Sequence, residues 1–218
     1  MAAELKTPPP SLKIAFTQQD TVTLLVGFDE EPLVAHESYL TRNSEFFKAA
    51  MKKEWAEGQI RVIKLPEDDL ATMVDYLAFT YSRDLPTLHL TGSPMVDGWT
   101  RLAKLYLLGE RILDKCIRNA VVSEFLRITT TPNEKGDTYF MPTVVSDMIF
   151  DGTPEGSPIR QMIVDNYVSW GYTNWLDTGT DHPALILELA RALLEKVTCH
   201  HSCQEFRHRK IKADDYFV

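Results

Sequence analysis

The chain has 218 residues, of which 44% are hydrophobic and 25% are charged, proportions that are ordinary for a soluble globular protein. Its 23 basic and 31 acidic residues leave a formal net charge of −8, which disfavours nucleic-acid binding because phosphate contacts need clustered Lys and Arg. No apolar run approaches the ~20 residues of a membrane helix, the N-terminus lacks a signal-peptide core, and three cysteines are too few for a disulfide framework. We therefore expect an intracellular protein, in the cytoplasm or the nucleus, that binds neither nucleic acid nor a membrane.

The N-terminal part of the chain is strand-like. After the Pro8-Pro9-Pro10 run, Leu12, Ile14 and Phe16 alternate with other residues, which is the period of a short strand. Thr21 to Val26 is rich in β-branched and apolar residues and predicts a buried strand. A turn around Pro32 would return the chain through Leu33 to Ala35 as the second arm of a hairpin.

The period then becomes helical. Ser44 is a good N-cap for a short helix, Ile60 to Leu65 predicts a third strand, and Asp69 can cap a helix whose apolar stripe begins at Leu70. The stretch from Arg83 to Gly98 holds two prolines and two glycines, so we expect it to be mostly loop.

The second half predicts only helices. Trp99 to Leu113 carries an apolar face, and Asp114 can cap a following helix that packs against it as a helical hairpin. Three further helices are predicted beyond a polar break, with caps at Ser157 and Asp181, and these span Pro142 to Phe150, Pro158 to Trp170 and Pro183 to Val197.

Several sequence fragments follow one another in a fixed order between residues 20 and 80. They are Asp20 before Val22–Gly27, then His36 and Leu40, Arg42–Phe47, Trp55–Gln59 and Leu65–Asp69. Together with the predicted order of strands and helices, they resemble the BTB/POZ domain family. In the second half, Leu102–Ile112 and Thr153–Arg160 are similar to the helical extension of fungal BTB proteins.

This resemblance implies an α+β fold, with a small BTB/POZ-like β-sheet flanked by helices and an α-helical C-terminal extension. The implied organisation is a lead-in over 1–17, a BTB/POZ-like domain over 18–130, a helical extension over 138–198 and a polar tail over 199–218. The residues that carry the family signature would be determinants of the fold. In this chain they are Asp20, His36, Leu40, Ser44, Phe46 and Phe47. We expect the His36 imidazole to bond free backbone groups at a strand–helix junction, and both phenylalanines to fill the core.

No residue pattern predicts catalysis or cofactor binding. His36-Glu37 begins like a zincin motif but position 40 is Leu, and no P-loop, G-x-G-x-x-G or G-x-S-x-G sequence occurs. Asp68 and Asp69 are adjacent carboxylates at a helix start, where capping is the simpler role. We therefore predict that the chain is not an enzyme and carries no cofactor.

The C-terminal tail holds a cluster of cysteine and histidine residues. Cys199, His200, Cys203 and His208 could hold zinc, although their spacing is not that of a standard zinc finger, and a solvated tail with reduced thiols is the simpler interpretation. The neighbouring basic run from Arg207 to Lys212 is a nuclear-localisation candidate or a charged helix face. Cys116 lies among apolar residues and is expected to be an inert core thiol.

The resemblance implies protein–protein interaction, with the module self-associating and presenting a surface to another protein. A second reading is a substrate adaptor of a cullin-based ubiquitin ligase. Against it, the loop from Thr80 to Pro86 lacks the Glu that cullin-binding relatives commonly carry. A third reading is a transcription-regulator scaffold, although no DNA-binding finger accompanies the module. The partner is thus a protein, and a cullin remains one candidate.

The family often dimerises around the first helix and the chain before the first strand. Here Leu12, Ile14, Phe16 and Tyr39 are the candidate dimer interface, which predicts a homodimer. An unpaired apolar strand is a liability, so residues 12–16 could pair with their own sheet or be exchanged with a second subunit.

Overall fold

The computed structural model describes residues 21–52, 54–85, 95–132, 136, 138–171, 175–176, 182–198 and 213–218. These residues form one three-stranded sheet and nine α-helices, and the expected α+β class is confirmed. The chain divides into two compact units, the first ending at Tyr81 and the second beginning at Ser82. The family-based boundaries at 18–130 and 138–198 stay predictions. Within the described ranges, no helix is both long and apolar enough to cross a membrane.

The first unit is built on the sheet order β2-β1-β3. Strand β1 (Thr21–Val26) pairs antiparallel with β2 (Glu31–His36) and parallel with β3 (Val62–Leu65). The predicted hairpin is thus confirmed, but its turn lies at residues 27–30 and not around Pro32, which belongs to β2. The turn begins at Gly27, whose φ of 75° only glycine tolerates without strain. Alternate β1 residues are buried, namely Val22, Leu24 and Val26, because successive side chains of a strand point to opposite faces.

Four helices accompany this sheet: α1 (Glu37–Thr41), α2 (Glu45–Ala50), α3 (Ala56–Ile60) and α4 (Leu70–Ser82). Two predicted caps are confirmed. The Ser44 hydroxyl accepts the Phe47 amide at 3.1 Å, and Asp69 accepts the Thr72 amide at 3.0 Å.

The predicted third strand is wrong at its beginning. Ile60 ends α3 instead of starting β3. The reason is a left-handed turn at Arg61, which has a φ of 57° and whose amide donates back to the Glu57 carbonyl at 2.8 Å. This turn ends α3, a short helix that the sequence did not predict.

The second unit is helical throughout its described part. Helices α5 (Met95–Arg111) and α6 (Lys115–Thr130) form the predicted hairpin, and α7 (Thr143–Gly152), α8 (Pro158–Trp170), α9 (Pro183–Thr198) and a 3₁₀ turn (Ala213–Tyr216) complete it. The buried core includes Trp99, Tyr106, Phe125, Ile149 and Met162.

Three details of the second half differ from the prediction. Helix α5 begins at Met95, inside the stretch expected to be loop, since one glycine at position 98 costs a helix only about 1 kcal/mol. Leu113 leaves the apolar face because it lies in the turn after α5, with a φ of 54° and an exposed side chain. Ser157 precedes α8, but its side chain makes no capping bond; the hydroxyl is buried close to Tyr106 instead.

The start of α9 is capped by a residue that the sequence did not predict. Asp181 lies outside the described residues, and the His182 ring accepts the Ala184 amide at 3.1 Å. The His182 amide in turn donates to the Asp147 carboxylate at 2.9 Å.

Replacing Asp114 should destabilise the helical hairpin measurably. Its buried carboxylate caps α6 by accepting the amides of Cys116 at 2.8 Å and Ile117 at 3.2 Å. We expect Asp114→Ala to lower the free energy of unfolding in urea by about 1–2 kcal/mol, and Asp114→Asn, which retains a capping oxygen, by only a few tenths. Equal losses in the two variants would contradict the capping role.

Candidate functional site

The first unit carries an open apolar cavity of about 530 Å³ between α2, α3 and β3, which we call the α2–β3 groove. Apolar side chains supply most of its walls: Phe46, Ala49, Ala50, Trp55, Ala56, Ile60, Val62 and Ile63. The polar contributors are Glu57 and Lys64. A concave, mostly apolar surface of this size can receive a ligand or a segment of protein.

Two large apolar side chains at the groove are more than half exposed to solvent. Trp55 is 58% exposed and Ile60 is 65% exposed, and α3 between them has no buried residue. Isolated exposed apolar residues are common, whereas several that line one concavity mark a binding surface.

The position of α3 depends on Arg61, which follows it. Its guanidinium donates to the Thr21 carbonyl at 2.8 Å and to the Glu37 carboxylate at 2.8 Å. These bonds attach the end of α3 to the start of β1 and to α1, so the groove keeps its wall although α3 buries no side chain.

Charge near the groove is balanced. Lys64 pairs with Glu30 at 2.6 Å, and Lys48 on α2 pairs with Glu45 at 2.5 Å. Both pairs are solvent-exposed and contribute little stability. The walls of the groove are therefore mainly apolar.

The two phenylalanines predicted for the core occupy different environments. Phe47 is fully buried and its ring stacks on Tyr76 at 6.3 Å. Phe46 is only partly buried and lines the groove. The core assignment of Phe46 is therefore wrong, because consecutive helical residues point about 100° apart and only one of the pair can face the sheet.

His36 makes a different contact from the one predicted. It precedes α1 as expected, but its ring Nδ1 lies 2.8 Å from the Tyr81 hydroxyl, which also accepts the His36 amide at 3.0 Å. The imidazole thus bonds a side chain and not free backbone groups, because the Tyr81 hydroxyl at the end of α4 lies at this junction. Leu40 and Ser44 are fully buried, and Asp20 lies outside the described residues. That these residues determine the fold stays a prediction.

The candidate dimer-interface residues are only partly described. Leu12, Ile14 and Phe16 lie outside the described residues. The Tyr39 ring packs against that of Tyr81 at 4.4 Å and remains partly accessible. Its role in a dimer stays a prediction.

The metal candidates Cys199, His200, Cys203 and His208 also lie outside the described residues, as does the basic run beside them. In the part of the chain that the structure covers, no group of three His, Cys, Asp or Glu side chains could hold a metal ion. Zinc binding by the tail stays untested.

Cys116 is not the core thiol that the sequence predicted. It is partly exposed, and its Sγ accepts a hydrogen bond from the Arg83 guanidinium at 3.0 Å. At the start of α6, Lys115 and Cys116 are accessible to solvent, whereas the following Ile117 is buried.

One tyrosine of the second unit has a strongly shifted pKa. Burial raises the pKa of Tyr106 to about 12, and the nearby Ser157 partly offsets this effect. The phenol is therefore neutral at physiological pH.

This shift predicts a loss of stability at high pH. The folded state holds the phenolic proton more tightly than the unfolded chain, whose tyrosine has a pKa of 10.0. The stabilisation is complete below pH 10 and disappears between about pH 10 and 12, by about 2–3 kcal/mol. Urea unfolding of wild type and Tyr106→Phe across this range should show the additional loss in the wild type alone, and parallel curves would contradict it.

The groove residues Trp55 and Ile60 were not recognised from sequence as a surface. The available signal was weak: two apolar residues and Ala56 within the charged and polar stretch from Lys52 to Arg61. Such a pattern does not distinguish an apolar residue that is buried beneath a loop from one that lines an exposed groove. Comparison of the chain with protein-family models and with curated proteins yields no match.

Proposed function

We propose that the chain is a protein–protein interaction module of the BTB/POZ type that presents the α2–β3 groove to another protein. The observation that carries the proposal is the open apolar groove, at which Trp55 and Ile60 are more than half exposed. The order of elements in the described chain, from the β1–β2 hairpin to the α5–α6 hairpin, supports the BTB/POZ reading of the sequence fragments.

The proposal assigns the chain no catalytic activity of its own and an intracellular location. It includes self-association, for which Leu12, Ile14, Phe16 and Tyr39 are the candidate residues. Light scattering of the full chain at micromolar concentrations should give the mass of a dimer, and a monomer would contradict this part of the proposal.

A pair of equally exposed residues provides a matched test of the groove. Ile60 lies in the groove, and Val34 lies on β2 outside it, and each is 65% exposed. We expect Ile60→Lys to abolish or weaken at least tenfold the capture of a partner from source cells, because a charge must then be desolvated in an apolar contact. Val34→Lys should leave capture unchanged.

The unfolding free energies of both variants should stay within about 0.5 kcal/mol of the wild type, since surface substitutions rarely do more. A partner that binds all three proteins equally would show that the groove is not its docking surface. The identity of a captured partner, a cullin included, also decides between the adaptor reading and a more general scaffold.

A further inference from the structure

Strand β3 has a free hydrogen-bonding edge. The Thr23 amide donates to the Arg61 carbonyl at 3.0 Å and the Gly27 amide to the Leu65 carbonyl at 2.9 Å. The backbone groups of the odd-numbered residues along β3 therefore face β1. In a parallel ladder the N–H and C=O groups of successive residues point to alternate sides. The N–H and C=O groups of Val62 and Lys64 therefore point away from β1. Within the described chain no strand pairs with this side.

The free edge borders the α2–β3 groove. Val62 and Lys64 line the groove, so it offers unpaired backbone donors and acceptors beside apolar walls. That combination suits an extended segment, which gains main-chain hydrogen bonds from the edge and inserts alternate side chains into the groove. A helix could use the walls but not the edge.

The chain itself holds a segment of the required pattern. Leu12, Ile14 and Phe16 alternate with Lys13 and Ala15, which gives an extended segment one apolar face. Its lysine would fall on the opposite face. The pattern therefore matches an edge whose neighbouring walls are apolar.

The connection between this segment and β1 is also long enough to reach the free edge. The Arg61 guanidinium holds the Thr21 carbonyl at 2.8 Å, so the chain enters β1 at the end where β3 begins. The outer edge of β3 is two strand spacings away, about 10 Å, and the connection through residues 17–20 can span about 13 Å. A connection this short joins antiparallel strands only.

We propose that residues 12–16 add to the outer edge of β3 of their own chain as an antiparallel fourth strand and place Leu12, Ile14 and Phe16 in the α2–β3 groove. Phe16 then lies at the Val62 end of the groove. If the groove is the docking surface proposed above, this segment is its internal occupant, and a partner must displace it. Only that consequence rests on the proposed function.

Amide hydrogen exchange of the full chain, measured by NMR, tests the added strand. We expect the amides of Val62 and Lys64 to exchange at least about tenfold more slowly in the wild type than in Ile14→Lys, because the variant places a charge in the groove and releases the edge. Lys13→Glu changes the opposite face of the segment and should leave both amides protected. The Ile63 amide, which faces β1, should stay protected in all three proteins.

Two results would overturn the proposal. Val62 and Lys64 amides that exchange as fast in the wild type as in Ile14→Lys would show that nothing pairs with the edge. Protection that persists in Ile14→Lys would show that another group provides it.

Light scattering of the same samples identifies the source of the strand. A monomer with protected amides supports the own-chain strand while contradicting self-association. A dimer whose protection is lost on dilution to monomer assigns the strand to a second copy and overturns the own-chain assignment. Partner capture by the Ile60 and Val34 variants is scored separately, so the failure of the proposed function is distinguishable from the failure of the added strand.

Discussion

Replacing Phe47 by Ala is expected to lower the free energy of unfolding by about 3–5 kcal/mol, the usual cost of deleting a fully buried aromatic ring. The side chain has no exposed surface and stacks on Tyr76 of α4. Its amide is also bonded to the Ser44 cap, so the surrounding backbone has little freedom to collapse into the cavity. Urea unfolding of the full chain, followed by far-UV circular dichroism, measures the loss.

Its neighbour provides the control for this result. Phe46→Ala removes a ring that is only partly buried at the groove, and the expected loss is about 1 kcal/mol. If the two alanine variants lost equal stability, the assignment of one ring to the core and the other to the groove would be wrong.

A second large effect is expected at Arg160 in the second unit. Its guanidinium is buried and donates to the Thr153 hydroxyl at 2.9 Å, to the carbonyls of Phe150 and Thr153, and to Glu188 at 3.3 Å. It also lies over the Phe150 ring, 4.7 Å from the centroid. Arg160→Ala leaves these acceptors buried and without their donor, which should cost about 3–5 kcal/mol.

Arg191 supplies a matched control for the buried arginine. It pairs with Glu155 at 3.0 Å, but both side chains are more than half exposed, and exposed pairs contribute at most about 1 kcal/mol. We expect Arg191→Ala to shift the urea midpoint only slightly. A loss at Arg160 as small as that at Arg191 would show that the network around α7 and α8 does not stabilise the unit.

The contacts of Arg160 could not be predicted from the sequence. Thr153–Arg160 was singled out as a fragment similar to fungal BTB proteins, yet nothing in the fragment states that Arg160 reaches back to the end of α7. Helix ends leave carbonyl groups unpaired, and which side chain satisfies them depends on how the following helix returns. That return is a tertiary property.

Local signals in the sequence determined the α+β class, the β1–β2 hairpin, the position of β3 to within two residues, and most of the helices. The hairpin follows from β-branched runs around Gly27, and α2, α4 and α6 follow from Ser44, Asp69 and Asp114, whose side chains bond amides within three residues. Such interactions involve only neighbours along the chain, so their residue types predict them.

The tertiary structure alone decided which side of each element is covered. Phe46 and Phe47 are identical in type, and only the tertiary packing of α2 sends Phe47 to the core beside Tyr76 and Phe46 to the groove. In the same way, Tyr81 and not the backbone is the partner of His36, and the Ser157 hydroxyl is buried without capping its helix. The parallel pairing of β3 with β1, which leaves the outer edge of β3 open, joins residues about forty positions apart. Contacts between such distant residues depend on the shapes and volumes of everything packed between them, which residue type and spacing do not encode.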